Sequence, residues 1–117
     1  MPNTSQLPLL PTDAFKTLAD DTRYYIVMLL LSRGELCVCN VVSALDVSQP
    51  KISRHLALLR QTQMLSTRRQ GHWVYYQVNP NLPQWLNDTL KNLLHEDKAL
   101  LAWLSALPKP QNCVTNA

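Results

Sequence analysis

The sequence predicts a mostly α-helical chain carrying one small β-hairpin, on three observations. Apolar residues recur at three- and four-residue steps through most of the chain, the spacing of helices with one buried face. A single stretch, Thr67 to Val78, alternates in the manner of strands, with Gly71 marking its turn. Two Gly and eight Pro among 117 residues fit helix-length runs rather than a many-turned β fold. Such a length supports one domain with a modest core. The longest apolar run, Ile26 to Leu31, is far too short to cross a bilayer, and Met1 to Thr12 shows no basic-then-apolar signal pattern. A cytoplasmic protein with no membrane partner is expected.

Residues 1–12 read as an arm, 13–107 as the folded domain and 108–117 as a loose tail. Asp13 to Ala19 predicts a short helix with Phe15, Leu18 and Ala19 on one side. Asp20-Asp21-Thr22 caps the next helix, about Thr22 to Ser32, which turns Ile26, Leu29 and Leu30 inward and stops at Gly34. Val41, Val42, Ala44 and Leu45 form a short apolar helix, Asp46-Val47-Ser48 a tight turn, and Ser48 or Gln49 the cap of a further helix that tolerates Pro50 in its first turn. On that helix Ile52, His55, Leu56 and Leu59 share one face, and Pro50, Arg54, Ala57 and Gln61 the opposite one. Two short helices joined by a tight turn, at about 39–62, make a helix-turn-helix.

The hairpin, at about 66–79, carries Arg68, Arg69 and His72 at or near its tip and serves as a wing beside that motif. From Pro83 one long helix is expected, with Leu86, Leu90, Leu93, Leu100, Leu101 and Leu104 on its apolar stripe and an end by Pro108. At about 35 Å it exceeds what so small a core covers. Its surplus face, with Trp85 and Trp103, predicts a homodimer through the first and last helices. The predicted order is therefore four helices, two strands and a last helix.

Charge points to the partner. The net charge is only +3, yet Val47 to Asn87 contains no Asp or Glu while Lys51, Arg54, Arg60, Arg68 and Arg69 fall there. A solvated basic face would carry the same residues, but one-signed charge costs self-repulsion and favours an anionic partner, here double-stranded DNA.

Three cysteines, Cys37, Cys39 and Cys113, are an odd number, and a Cys-x-Cys bridge would close a strained ring, so reduced thiols are expected. An isolated cysteine is usually a small core residue. A pair beside a helix N-terminus, where thiolates are favoured, points instead to a soft ion. On a helix, residues two apart lie about 200° apart and cannot close on one ion. Binding is therefore expected to require non-helical backbone at Cys37–Cys39 and to unwind the helix start at Asn40, displacing the helices packed on it.

Phe15 to Trp103 resembles the ArsR/SmtB family of winged-helix metalloregulators, in particular its arsenical-resistance operon repressors. The resemblance rests on Leu18-Ala19-Asp20-Asp21-Thr22-Arg23, the metal-box-like Glu35-Leu36-Cys37-Val38-Cys39, the recognition-helix-like Gln49 to Arg60, and the wing-like Arg68 to Tyr76. It implies a homodimer that sits on its operator and leaves when As(III), or Sb(III), binds Cys37 and Cys39, with no catalytic cofactor. It places Ser48, Gln49, Lys51, Ser53 and Arg54 on DNA from the recognition helix, and Arg68, Arg69 and His72 from the wing. The prototype arsenic sensor has a third Cys three residues after the pair, where this chain has Val42. Cadmium and lead sensors draw cysteines from an N-terminal arm that has none here. Asp88 and His95 do not reproduce the zinc sensors' spacing. Cys113 is the one protein thiol left for a third position, against a small-molecule thiol or water.

A repressor responding to arsenite is the resulting expectation. A cadmium, lead or thiol-redox sensor of the same fold is the alternative. An enzyme is not expected, because neither a βαβ pattern nor a general-base constellation surrounds the thiols.

Overall fold

Start and stop signals frame the central helix. The computed structural model describes residues 9–108, and in it Asp20 caps α2 (Asp21–Arg33), its carboxylate accepting the Arg23 backbone N–H at 3.0 Å. That hydrogen bond holds the Asp20 carboxyl below its ordinary pKa. Gly34 ends the helix at φ +84°, in the region glycine enters without strain. Ile26 through Leu30 are all buried, so α2 is apolar around most of its circumference and the other elements pack on it.

The first helix, α1 (Pro11–Leu18), starts within the expected arm, because Pro11 near its N-terminus is pre-set for helix. Ala14 and Thr17 form its buried stripe and Leu18 packs at the margin. Phe15 is 56% exposed and meets the Trp85 ring at 5.8 Å between centroids.

The helix-turn-helix consists of α3 (Val38–Leu45) and α4 (Gln49–Gln61), with Asp46 left-handed at φ +56° between them and Ser48 at the N-cap of α4. Ile52, Leu56 and Leu59 anchor α4 in the core. His55 sits half-buried at the edge of this face, its Nδ1 3.4 Å from Arg23 Nη1.

Two elements differ from expectation. A short strand, β1 (Leu36–Cys37), joins the hairpin of β2 (Leu65–Gln70) and β3 (Trp73–Val78) in a three-stranded antiparallel sheet ordered β1-β3-β2. Two residues are too few to show alternation, which is why periodicity missed this strand. Gln70 pairs with Trp73 across Gly71-His72, and Gly71 at φ +61° takes the first turn position. The expected single last helix breaks into α5 (Gln84–Glu96) and α6 (Lys98–Ala106). Asp97 makes the break: its Oδ1 accepts the Leu100 backbone N–H at 3.1 Å and its Oδ2 the Tyr24 hydroxyl at 2.8 Å. Leucine spacing continues across the break, so apolar periodicity runs through it; the signal was the cap residue Asp97. Leu86, Leu90, Leu100 and Leu104 are buried, whereas Leu101 is exposed. No described helix is long and apolar enough to cross a membrane.

Candidate functional site

Cys37 is the last residue of β1 and the N-cap of α3, with extended backbone (φ −88°, ψ 169°), and Cys39 lies in the first turn of α3. Their sulfurs are 3.0 Å apart. Within a continuous helix that approach is excluded. The joint between strand and helix rotates Cys37 out of helical phase and closes the gap. The non-helical backbone expected at the pair is present at Cys37, while Cys39 and Asn40 are helical and the sulfurs already meet. Asn40 reaches back over the joint, its Oδ1 accepting from the Cys37 thiol at 3.1 Å and from the Cys37 backbone N–H at 3.4 Å. Cys37 is 5% exposed and Cys39 half-buried. Among the described residues, no three His, Cys, Asp or Glu side chains gather in a cluster fit to hold a metal ion. Cys113 lies outside the described residues.

The basic face is presented by α4 and the hairpin. Ser48, Gln49, Lys51, Ser53 and Arg54 are all exposed, Ser48 and Gln49 at the N-terminal end of α4 and Arg54 opposite Ile52, Leu56 and Leu59. Arg69 and His72 are exposed toward the wing tip. Arg68, expected at the phosphate backbone, is exposed and also engages neighbouring side chains of the protein. It donates Nε–H to Glu35 Oε2 at 2.9 Å and Nη2–H to Glu35 Oε1 at 2.7 Å, and its Nη1–H reaches Gln70 Oε1 at 2.8 Å. The guanidinium also lies over the Tyr75 ring, 4.9 Å from its centroid. Hydrogen bonding to Arg68 holds the Glu35 carboxyl below its ordinary pKa, and the same bond raises that of Arg68.

Cys37 and the wing are thus parts of one sheet. Cys37 pairs with Tyr75 and Leu36 with Tyr76, while Tyr75 pairs on its other side with Arg68. On the opposite flank, α3 packs on α4. Sequence reasoning missed Glu35, Asn40 and Tyr75 as members of this site. Glu35 had a signal: it is the only carboxylate between Asp21 and Asp46, two residues ahead of Cys37.

The family model described as "Bacterial regulatory protein, arsR family" matches residues 20–67. Over 92 residues the chain is 53% identical to "Arsenic resistance transcriptional regulator ArsR2" of Pseudomonas putida, a match spanning 79% of this chain and 80% of that protein. It is 60% identical over 77 residues to an "Arsenical resistance operon repressor" of Escherichia coli, covering 66% of each. Among solved structures, HlyU from Vibrio cholerae superposes with a TM-score of 0.65 at 30% identity, over 75% of this chain and 90% of that one. A "Possible transcriptional regulator for arsenical resistance" does so with a TM-score of 0.56 at 28% identity, over 82% and 97%.

Proposed function

Because the chain belongs to the arsR family of bacterial regulatory proteins, we propose that it is an arsenite-responsive repressor whose inducer bonds the sulfurs of Cys37 and Cys39. Membership makes it a winged-helix transcriptional regulator and not an enzyme. The observation that carries the inducer site is the 3.0 Å separation of two sulfurs at a strand–helix joint. In reduced form each thiol gives its proton to an arsenic-bound hydroxide, which leaves as water, so two sulfurs displace two waters. The third arsenic position keeps its hydroxide or takes a third thiol, from Cys113 or a small molecule. Sb(III) follows the same chemistry, and no catalytic cofactor is involved.

Operator DNA is read by α4, with Ser48, Gln49, Lys51, Ser53 and Arg54 in the major groove or on its phosphates, and Arg69 and His72 on the backbone from the wing. Two copies pair through α1, α5 and α6, supported by the exposed Phe15, Trp85 and Leu101. A ligand joining Cys37 to Cys39 ties the sheet to α3 and shifts the recognition helix packed on α3.

Fluorescence anisotropy on labelled operator DNA tests this reading. Arsenite should release the wild type, while Cys37→Ser and Cys39→Ser should bind the operator and stay bound. Release of both variants at wild-type arsenite concentrations would refute the assignment. Parallel titrations with antimonite, cadmium, lead, zinc and an oxidant separate arsenite sensing from a cadmium, lead or thiol-redox response of the same fold.

A further inference from the structure

Resting on the reading of Cys37 and Cys39 as the inducer site, we propose that the Glu35–Arg68 ion pair, laid across the Tyr75 ring, is the positioning link that carries the state of the sulfur pair to the wing. Three observations converge on it. Cys37, Tyr75 and Arg68 occupy one row across the three strands, and directly paired residues of antiparallel strands face the same side of the sheet. Glu35 directly precedes β1, two residues ahead of Cys37, and closes on Arg68 with both carboxylate oxygens. The ladder between β1 and β3 is only two residue pairs long, too little to hold a hairpin on its own.

A bidentate fork fixes orientation as well as distance, which a single charge contact does not. Tyr75 beneath the guanidinium restricts it further. Motion of the Cys37 backbone toward α3 therefore displaces Glu35, and Glu35 takes Arg68 and β2 with it. The second route, from α3 to α4, does not pass through Glu35, so the two are separable by substitution.

The experiment measures operator Kd with and without arsenite, at one salt concentration, for wild type, Glu35→Gln, Arg68→Gln and the double variant. Thiol reactivity on the DNA-free protein reports arsenite occupancy. For Glu35→Gln, the ratio of loaded to unloaded Kd should fall by about fivefold or more while arsenite still protects the thiols. Arg68→Gln should lower the same ratio, and the double variant should be no worse than either single, as for two halves of one link. A purely structural role would move both Kd values together and leave the ratio intact. An unchanged ratio in Glu35→Gln or Arg68→Gln, or losses that add in the double variant, overturns the link. A wild type that arsenite does not release overturns the inducer reading and the link with it; a released wild type with an equally released Glu35→Gln overturns the link alone.

Discussion

At the scale of single residues, carboxylates held ionised shape the fold at two helix starts and the site at Glu35. Asp20 accepts a backbone hydrogen bond from Arg23, Glu35 grips Arg68, and Asp97 accepts from Leu100 and Tyr24; each carboxyl lies below its ordinary pKa for that reason. The Tyr24 hydroxyl is driven upward by burial and by its bond to Asp97, so it stays a donor through the working range. A carboxyl with a depressed folded pKa contributes stability above its unfolded value, and that stability is lost as pH falls through the folded value. Melting temperature should thus be nearly flat from about pH 7 to about pH 5 and decline below about pH 4. Asp20→Asn keeps a capping side chain but removes one titrating group, so its acid decline should be shallower. Equal slopes for the two proteins would mean that the Asp20 bond contributes nothing to the acid limb.

At the scale of elements, the proposed function has α4 and the wing divide the work on DNA. Arg54→Ala should cost about 1–3 kcal/mol at the base position it reads and relax discrimination there. Arg69→Ala should weaken binding across sequences and reduce the salt slope by about 1. Competition assays on matched and mismatched operators, repeated over a salt series, distinguish the two; a loss of discrimination from Arg69→Ala would make the wing a base reader. Legibility also divides at this scale. The faces of α2 and α4 follow from leucine and isoleucine spacing, and the hairpin from alternation around Gly71. Strand β1 was not legible because pairing with a distant strand, rather than its two residues, makes it a strand. The break at Asp97 was hidden by leucines that stay in phase across it. The exposure of Phe15 was not legible, because in a two-turn helix one step of phase decides between core and surface. For the site, Cys37 and Cys39 could be named from sequence, but their closeness depends on a change of backbone type between them. Arg68 was legible as a wing cation; its partner Glu35 is 33 residues away and reached only through the sheet.

For the whole molecule, the proposed dimer uses the exposed Phe15 and Trp85, in ring contact on the outer side of α1 and α5, as the surface that a second copy covers. Two recognition helices reach successive major grooves only when a dimer spaces them about 34 Å apart. Trp85→Glu should shift the protein to monomer in sedimentation velocity and weaken operator binding by about tenfold or more. A dimer of undiminished affinity would place the interface elsewhere. On the proposed inducer reading, the joint at Cys37 also sets an order of events in time. Cys37 is 5% exposed and Cys39 is the more open of the two, so a reduced pair captures its ligand at Cys39 first. The second sulfur waits 3.0 Å away, and closure onto it is unimolecular, at an effective concentration far above that of any free thiol. Capture therefore scales with the amount of inducer while closure does not, so on this reading the response time is a measure of dose.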